Sequence, residues 1–240
     1  MVGFAFHRSH GSNIEILENR RVARRFRSFA NAIAFSHRPL APGETFLFEI
    51  EEQEVGWAGH VRCGVTAHDP KKLDSLPQYL LPDFAQMNEG KGCSWVFAIK
   101  PSEDMPFGDD ACGVPAACKS TDPKFIKNSK LNYRLLRAGD DVKPTDIGSR
   151  IGIHVTSSGS LYFFVNGTQF GPFASEIPVE YGEVFAVVDL YGITKQIRVI
   201  QVEVPTLEEF SSAVIKEHMT EEEIKKLDIP GRILEKLQSY

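Results

Sequence analysis

The fold of this chain is decided by IGIHVTSSGSLYFFVNG, residues 151–167. Two short apolar runs, residues 151–155 and 161–165, stand on either side of the turn cluster Ser157-Ser158-Gly159. The dipeptide Asn166-Gly167, directly after the second run, is the strongest short sequence signal for a two-residue β-hairpin turn. The segment therefore predicts consecutive antiparallel strands.

The same pattern extends outward over most of the chain. In residues 45–51 the alternation places Phe46, Phe48 and Ile50 on one face of a strand. Short strands separated by turns, with few helix-period segments, are typical of an antiparallel β-sandwich. We therefore predict a mainly β fold, with an antiparallel β-sandwich over residues 1–204. Further apolar or alternating runs are residues 94–99, 185–190 and 193–204.

Two stretches interrupt this pattern. Residues 69–89 contain three prolines and a short apolar pattern, and residues 101–146 are polar and rich in Asp, Pro, Gly and Lys. Loops of this length in a compact domain are often functional. We therefore expect the loops to bind a partner, although the sequence does not identify the individual substrate-binding residues.

Trp57 lies in the stretch VGWAGHVRCGVT, residues 55–66. An exposed tryptophan anchors partner proteins, whereas a tryptophan in a strand with apolar neighbours belongs to the core. The apolar neighbours favour the second interpretation, so we expect Trp57 to be buried.

Five arginines fall within eight residues, between Arg20 and Arg27. Arginine forks bind phosphate groups and carboxylates, so one interpretation is a phosphate or acidic-peptide site. The other is a solvated strand and turn with structural salt bridges. Nucleic acid is not an expected partner, because the chain as a whole carries a net charge of −5.

The sequence contains no pattern that predicts catalysis, a cofactor or a metal site. The four cysteines form no C-x-x-C pair, and the seven histidines do not cluster with them at zinc-ligand spacing. A Gly-x-Ser-x-Gly nucleophile motif and a glycine-rich phosphate loop are both absent. We therefore expect a protein that is not an enzyme and that does not build the two zinc sites of a RING domain.

The N-terminal MVGFAFHRSHG lacks a long apolar run before its first charges, which argues against a signal peptide. No stretch of the sequence approaches the roughly 18 uninterrupted apolar residues of a spanning helix. We therefore expect a cytoplasmic protein without membrane insertion, in which the cysteines stay reduced.

The pattern changes at residue 205, after which Glu and Lys are dense. Thr206 with Glu209, and Thr220 with Glu223, fit the capping box that begins a helix. So short a segment buries too little apolar surface to fold alone, so its apolar stripes must pack on the sandwich or on a partner. The apolar residues at helical spacing are Leu207, Phe210, Val214 and Ile215, then Ile224 and Leu227, then Ile233, Leu234 and Leu237.

A set of short motifs is spread over residues 6–202. They are Phe6-His7, Gly11-Ser12-Asn13-Ile14, Val22-Ala23-Arg24-Arg25, Phe29, Phe35-Ser36-His37-Arg38-Pro39-Leu40, Pro42-Gly43-Glu44, Glu51-Glu52, Trp57-Ala58-Gly59, Arg62-Cys63-Gly64-Val65-Thr66-Ala67-His68-Asp69-Pro70, Leu161-Tyr162-Phe163-Phe164-Val165-Asn166-Gly167 and Asp189-Leu190-Tyr191-Gly192. In these motifs the chain, from Phe6 to about Val202, resembles the Neuralized family, which is built on the neuralized homology repeat. The resemblance implies an SPRY-like β-sandwich that binds protein segments through its loops.

The tail, residues 205–240, is similar to a SOCS box of three helices. Ser211 stands where that pattern has cysteine, and Asp228 stands where it has proline. The resemblance implies elongin C docking through Leu207, Phe210, Ser211, Val214 and Ile215. It implies cullin docking through Leu227, Ile229, Pro230, Ile233 and Leu237.

One neuralized repeat followed by a SOCS box resembles a muscle-associated branch of the family. This resemblance implies a substrate-recognition adaptor that joins elongin B, elongin C and cullin-5 with its RING subunit in an E3 ubiquitin ligase. It also points to muscle cell differentiation and to β-catenin as a substrate. The alternative is a protein-binding scaffold of the same family without a ligase, whose tail packs on its own sandwich. A lectin-like sugar binder shares the architecture, but no metal-ligand cluster supports it.

Overall fold

The hairpin that decides the fold forms as the sequence predicts. In the computed structural model, β7 (Arg150–Val155), β8 (Leu161–Val165) and β9 (Thr168–Ala174) run antiparallel in sequence order. Asn166 and Gly167 have φ angles of 49° and 88°, as a two-residue hairpin turn requires. The structure describes residues 4–73, 75–80, 94–103, 106–107, 133–139, 141–180 and 182–201.

Four further strands join β7, β8 and β9 in the larger sheet: β1 (Ile14–Leu17), β2 (Val22–Arg25), β4 (Thr45–Gln53) and β11 (Thr194–Ile200). The seven strands lie in the order β1-β2-β11-β4-β7-β8-β9. The β1–β2 hairpin, in which Ile14 faces Arg25, lies at one edge of the sheet, and β11 lies between that hairpin and the long strand β4.

The smaller sheet has four strands in the order β3-β10-β5-β6, all paired antiparallel. Its strands are β3 (Ile33–Phe35), β5 (Arg62–Thr66), β6 (Ser94–Ala98) and β10 (Phe185–Asp189). One cluster of buried side chains draws on both sheets, including Phe46, Phe48 and Ile50 from the larger and Val65 and Val188 from the smaller. The predicted mainly β antiparallel sandwich is therefore confirmed.

Two smaller clusters cover the outer faces of the sheets. The segment after β5 brings Leu73, Leu76 and Leu80 against a cluster that includes Ile33 and Phe35 of the smaller sheet. On the larger sheet, a single helical turn, α1 (Tyr133–Leu136), packs Leu136 against Leu47 and Phe164. Because β4 is covered on both faces, Phe46, Leu47 and Phe48 are all buried.

The chain divides into two units, Met1–Val202 and Glu203–Tyr240. The predicted tail with its three helices lies outside the described residues, so the boundary at 204/205 stays a prediction. No helix in the described part of the chain is long and apolar enough to cross a membrane.

Candidate functional site

Four connections meet at one end of the sandwich, which we call the loop end: residues 26–32, 54–61, 141–149 and 190–193. Pairing registers bring them together, because Gln196 at the start of β11 faces Arg24 near the end of β2 and Glu52 near the end of β4. The connection before β7 joins the same end, since the Gly148 N–H donates to the Ile50 carbonyl at 2.8 Å.

The loop end carries the exposed apolar side chains of the sandwich. Within the described residues, the exposed large hydrophobic side chains are Phe26 (50%), Val55 (96%), Trp57 (40%) and Ile147 (56%), and all of them lie on loop-end connections. Such residues scattered singly need no explanation, but a contiguous group marks an interaction site. The placement of these four at one end is the main sign of a binding surface.

Trp57 belongs to an aromatic group at this end, so the expectation that it lies in the core was wrong. Its ring packs edge-on against Phe29 with centroids 4.9 Å apart, and Phe29 packs edge-on against Tyr191 at the same distance. Tyr79 adds contacts to Phe29 and Tyr191, at 6.1 and 6.2 Å. The Arg62 guanidinium lies 3.5 Å above the Tyr191 ring. We call Phe29, Trp57, Tyr79 and Tyr191 the aromatic platform.

Two glycines explain why Trp57 is on a loop. Gly56 and Gly59 have φ angles of 98° and 88°, a left-handed conformation that ends a strand and that glycine adopts readily. A Cβ at Gly59 would lie 2.6 Å from the Tyr191 ring, and a Cβ at Gly192 would lie 2.2 Å from the Gly59 carbonyl oxygen. The two connections touch backbone to backbone, which holds Trp57 beside Tyr191. The paired glycines around Trp57 are the sequence signal that would have predicted a loop.

Arg25 supports the loop end from beneath. Its side chain is fully buried, and it donates hydrogen bonds to the carbonyls of Gly192 (2.7 Å), Arg27 (3.2 Å) and Thr194 (3.3 Å). It also lies 3.4 Å from the Glu54 carboxylate. Burial lowers the pKa of Arg25, while the nearby carboxylates of Glu54 and Asp189 act to raise it. One buried cation thus ties β2 to two of the loop-end connections.

Asp189 fixes the segment that carries Tyr79. It is fully buried at the end of β10, and its Oδ2 accepts a hydrogen bond from the Leu80 N–H at 3.1 Å. Its Oδ1 has no hydrogen-bond partner among the described residues. Burial raises the pKa of Asp189 to about 7, although the Leu80 N–H and the charges of Arg62 and Arg25 oppose the rise. A carboxyl that titrates near neutrality therefore lies beneath the aromatic platform.

His60 is a further polar group at this end. Its Nδ1 is buried and has no hydrogen-bond partner within the described ranges. Burial lowers the pKa of His60, and the charge of Asp146 from the connection before β7 opposes that effect. An unpaired buried nitrogen is suited to a hydrogen bond with a ligand or with water.

Two residues of the arginine-rich run have structural roles. Arg24 lies 3.4 Å from Glu52, and Arg25 is the buried support described above, so the structural interpretation is correct for both. Arg20 lies at the other end of the hairpin, on the turn between β1 and β2. The predicted elongin and cullin contacts, from Leu207 to Leu237, lie outside the described residues and stay predictions.

Comparison with known proteins places the chain in a family. The Neuralized family model matches residues 6–201. Neuralized-like protein 2 of Homo sapiens is 32% identical over 260 residues, covering 96% of this chain and 88% of that protein. E3 ubiquitin-protein ligase NEURL3 of Mus musculus is 31% identical over 111 residues, covering 45% of this chain and 42% of that protein.

A solved structure agrees in fold. The crystal structure of the Drosophila melanogaster neuralized-nhr1 domain superimposes with a TM-score of 0.60 at 24% identity, and it covers 84% of this chain and 99% of that one. The antiparallel sandwich, the family model and the long alignment with a neuralized-like protein lead to one conclusion: the chain belongs to the Neuralized family.

Proposed function

We propose that the chain is a substrate-recognition adaptor of an elongin B/C–cullin-5–RING E3 ubiquitin ligase, acting in the cytoplasm during muscle cell differentiation. The observation that carries the proposal is the loop end, whose connections carry four exposed apolar side chains, one of which, Trp57, belongs to the aromatic platform. A relative that shares the neuralized region is named as an E3 ubiquitin-protein ligase.

The loop end supplies what protein recognition needs. Tryptophan and tyrosine dominate binding hot spots, because they bury a large area with little loss of side-chain entropy. Here the platform side chains pack on one another before any partner arrives. A preorganised surface of this kind binds with a smaller ordering cost.

The proposed adaptor performs no covalent step itself. It holds a substrate lysine near the ubiquitin carrier, so its contribution to rate is proximity. In this proposal residues 1–204 bind the substrate and residues 205–240 dock the ligase. The alignment with the human neuralized-like protein covers 96% of the chain, so it continues past residue 201 into the tail, which supports a shared role for both parts.

Leu207 provides the test of ligase docking. Truncation of a buried aliphatic anchor typically costs about 2–4 kcal/mol, a loss of about 30-fold to nearly 1,000-fold in affinity. The full chain should co-purify with elongin B and elongin C, and Leu207→Ala should abolish that capture. Lys216→Ala is the matched control, because residue 216 falls on the opposite side of the proposed helix and should leave capture unchanged.

The rival scaffold interpretation predicts a different result. There the wild-type chain captures no elongin, and Leu207→Ala lowers the melting temperature because the tail packs on its own sandwich. Unchanged capture by Leu207→Ala together with a lower melting temperature would likewise rule out the docking assignment.

Trp57 provides the test of substrate binding. In muscle-type cells with the proteasome inhibited, the wild-type chain should raise ubiquitination of its substrates, with β-catenin as the first protein to measure. Trp57→Ala should lose this effect while still capturing elongins. If Trp57→Ala and wild type ubiquitinate the same proteins equally, the loop end is not the substrate site.

A further inference from the structure

A second surface of the sandwich has a different chemistry from the loop end. At the turn between β1 and β2, residues 18–21, a cavity of about 560 Å³ opens to solvent. We call it the cationic cavity. The residues that line it are Arg8, His10, Ile16, Asn19 and Arg20.

The backbone around this cavity is held in an uncommon conformation. Glu18, Asn19 and Arg20 have φ angles of 49°, 53° and 66°, and three consecutive non-glycine residues in the left-handed region carry strain. Glu18 is held by the Arg198 guanidinium at 2.6 and 3.0 Å. The Phe6 N–H donates to the Arg20 carbonyl at 2.7 Å, which joins the segment that leads to Arg8 to the turn. These contacts hold the backbone of the turn that carries Arg20 and join it to the segment that leads to Arg8.

The cavity is lined by two arginine side chains, Arg8 and Arg20. Within the part of the chain that the structure describes, neither Arg8 nor Arg20 forms an ion pair. Other arginines do have carboxylate partners: Arg24 with Glu52, Arg25 with Glu54, Arg38 with Glu44, Arg150 with Glu49, and Arg198 with Glu18 and Glu51. Carboxylates of the described residues therefore pair with several arginines of the sandwich, but not with the two that line this cavity.

From this arrangement we infer that the cationic cavity binds a phosphate group carried on a protein segment, such as a phosphorylated serine. Two guanidinium forks match the oxygens of one phosphate, and the Asn19 amide offers a further donor. The apolar Ile16 side chain provides a wall for the carbon atoms that carry the phosphate.

A protein segment fits this surface better than a lipid membrane does. A membrane needs a broad basic face, whereas the exposed Glu15 and Glu18 lie on the same hairpin and the chain has a net charge of −5. The described residues that line the cavity itself include two arginines and no carboxylate, which suits a single phosphate. This inference is independent of the proposed ligase function, because it uses no residue of the loop end or of the tail.

Binding of a short labelled peptide tests the inference. The probe is a five-residue peptide with phosphoserine at its centre and glycines elsewhere, titrated into the full chain at low salt and followed by fluorescence anisotropy. The unphosphorylated peptide should bind at least about 10-fold more weakly, since charge-assisted hydrogen bonds are lost. Inorganic phosphate should compete with the phosphopeptide.

Arginine variants locate the site. Arg8→Gln and Arg20→Asn should each weaken phosphopeptide binding by about 10-fold or more; asparagine tolerates the left-handed conformation at residue 20. Arg21→Gln is the matched control, because Arg21 is an exposed arginine on the same turn that does not line the cavity. It should change the affinity by less than about 2-fold.

Three outcomes would overturn the inference. Equal binding of the phosphorylated and unphosphorylated peptides would exclude a phosphate site. An equal loss in Arg21→Gln and Arg20→Asn would mean that general surface charge is responsible. Sedimentation with phosphatidylserine-containing vesicles that Arg8→Gln abolishes, without any phosphopeptide binding, would assign the cavity to a membrane surface instead.

Discussion

The two ends of the β1–β2 hairpin carry the same residue type in opposite circumstances. At the loop end, Arg25 is fully buried, and three carbonyls and a carboxylate satisfy its guanidinium. At the turn end, only a few residues earlier, Arg20 is exposed, adopts a positive φ and lines an open cavity. The arginine-rich run therefore has no single role. β2 places Arg25 in the interior, whereas the turn before β2 leaves Arg20 exposed at the surface.

The ends also differ in what they expose. The loop end presents Trp57 and Val55 near a buried carboxyl and a buried guanidinium, whereas the turn end presents the cations Arg8 and Arg20. Apolar recognition depends little on salt, while recognition by exposed charge weakens as salt rises. One sandwich therefore presents two surfaces of different chemistry, and each can be disrupted separately.

The largest effect on stability is expected at Arg25. Arg25→Met removes a donor to the carbonyls of Gly192 and Thr194 and removes the cation near Asp189, so the free energy of unfolding should fall by about 3–5 kcal/mol. In a unit of this size the melting temperature should fall by roughly 10 °C. Arg20→Asn, at the exposed end, should change the free energy of unfolding by less than about 0.5 kcal/mol. Denaturant unfolding of both variants measures these free energies. Equal losses in Arg25→Met and Arg20→Asn would show that the two arginines contribute equally to stability.

The next prediction concerns the backbone contact between the loop-end connections 54–61 and 190–193. Gly192 and Gly43 both have positive φ, at 60° and 77°, but a Cβ at Gly192 meets backbone at 2.2 Å whereas a Cβ at Gly43 meets nothing within 4 Å. Both alanine variants carry the left-handed penalty of about 1–2 kcal/mol. The free energy of unfolding of Gly192→Ala should be about 1–3 kcal/mol lower still, because the connection that carries Trp57 must move. If the two variants unfold at the same denaturant concentration, this backbone contact does not support the platform.

Two buried titratable groups of the sandwich should contribute opposite pH dependences to its stability. Asp189 has a pKa raised to about 7 by burial, so the folded state binds more protons than the unfolded state between about pH 4 and 7, and stability from this group falls as pH rises. His154 has a pKa lowered by burial to about 4, so the unfolded state binds more protons between about pH 4 and 6.5, and stability from this group rises with pH. In the wild-type chain the two trends oppose each other.

Substitution separates the two trends. With Asp189→Asn, the free energy of unfolding should rise between about pH 4 and 6.5, by up to about 3 kcal/mol from His154 alone. His7, His37 and His60 act in the same direction, because burial lowers the pKa of each. In the counterpart variant, His154→Asn, the free energy of unfolding should fall or stay constant between about pH 4 and 6.5. Parallel pH profiles for Asp189→Asn and the wild type would show that this carboxyl does not titrate near neutrality.

The sequence predicts the strands well because their signals are local. Asn166-Gly167 specifies a hairpin by itself, and the alternation of Phe46, Phe48 and Ile50 identifies the buried face of β4. The loop end depends on contacts between residues far apart in the chain, such as Arg25 with Gly192. No local pattern encodes the meeting of those connections, so the platform could not be predicted. The apolar residues near Trp57 predict a core position, whereas Gly56 and Gly59 predict a loop. The loop conformation is the one that forms.

The smallest expected change in stability concerns Trp57 itself. It is 40% exposed and packs edge-on against Phe29, so Trp57→Ala should cost only about 1 kcal/mol. The second tryptophan, Trp95, lies on β6 and packs against the main core cluster, so Trp95→Ala should cost more, about 3 kcal/mol.

In Trp95→Phe, where Trp57 is the sole tryptophan, acrylamide should quench most of the fluorescence. In Trp57→Phe, where Trp95 is the sole tryptophan, acrylamide should quench less of the fluorescence, since the core partly shields Trp95. A Trp57 signal that resists quenching, together with a loss of stability equal to that of Trp95→Ala, would mean that this ring is buried after all and that the loop end has no exposed anchor for a partner.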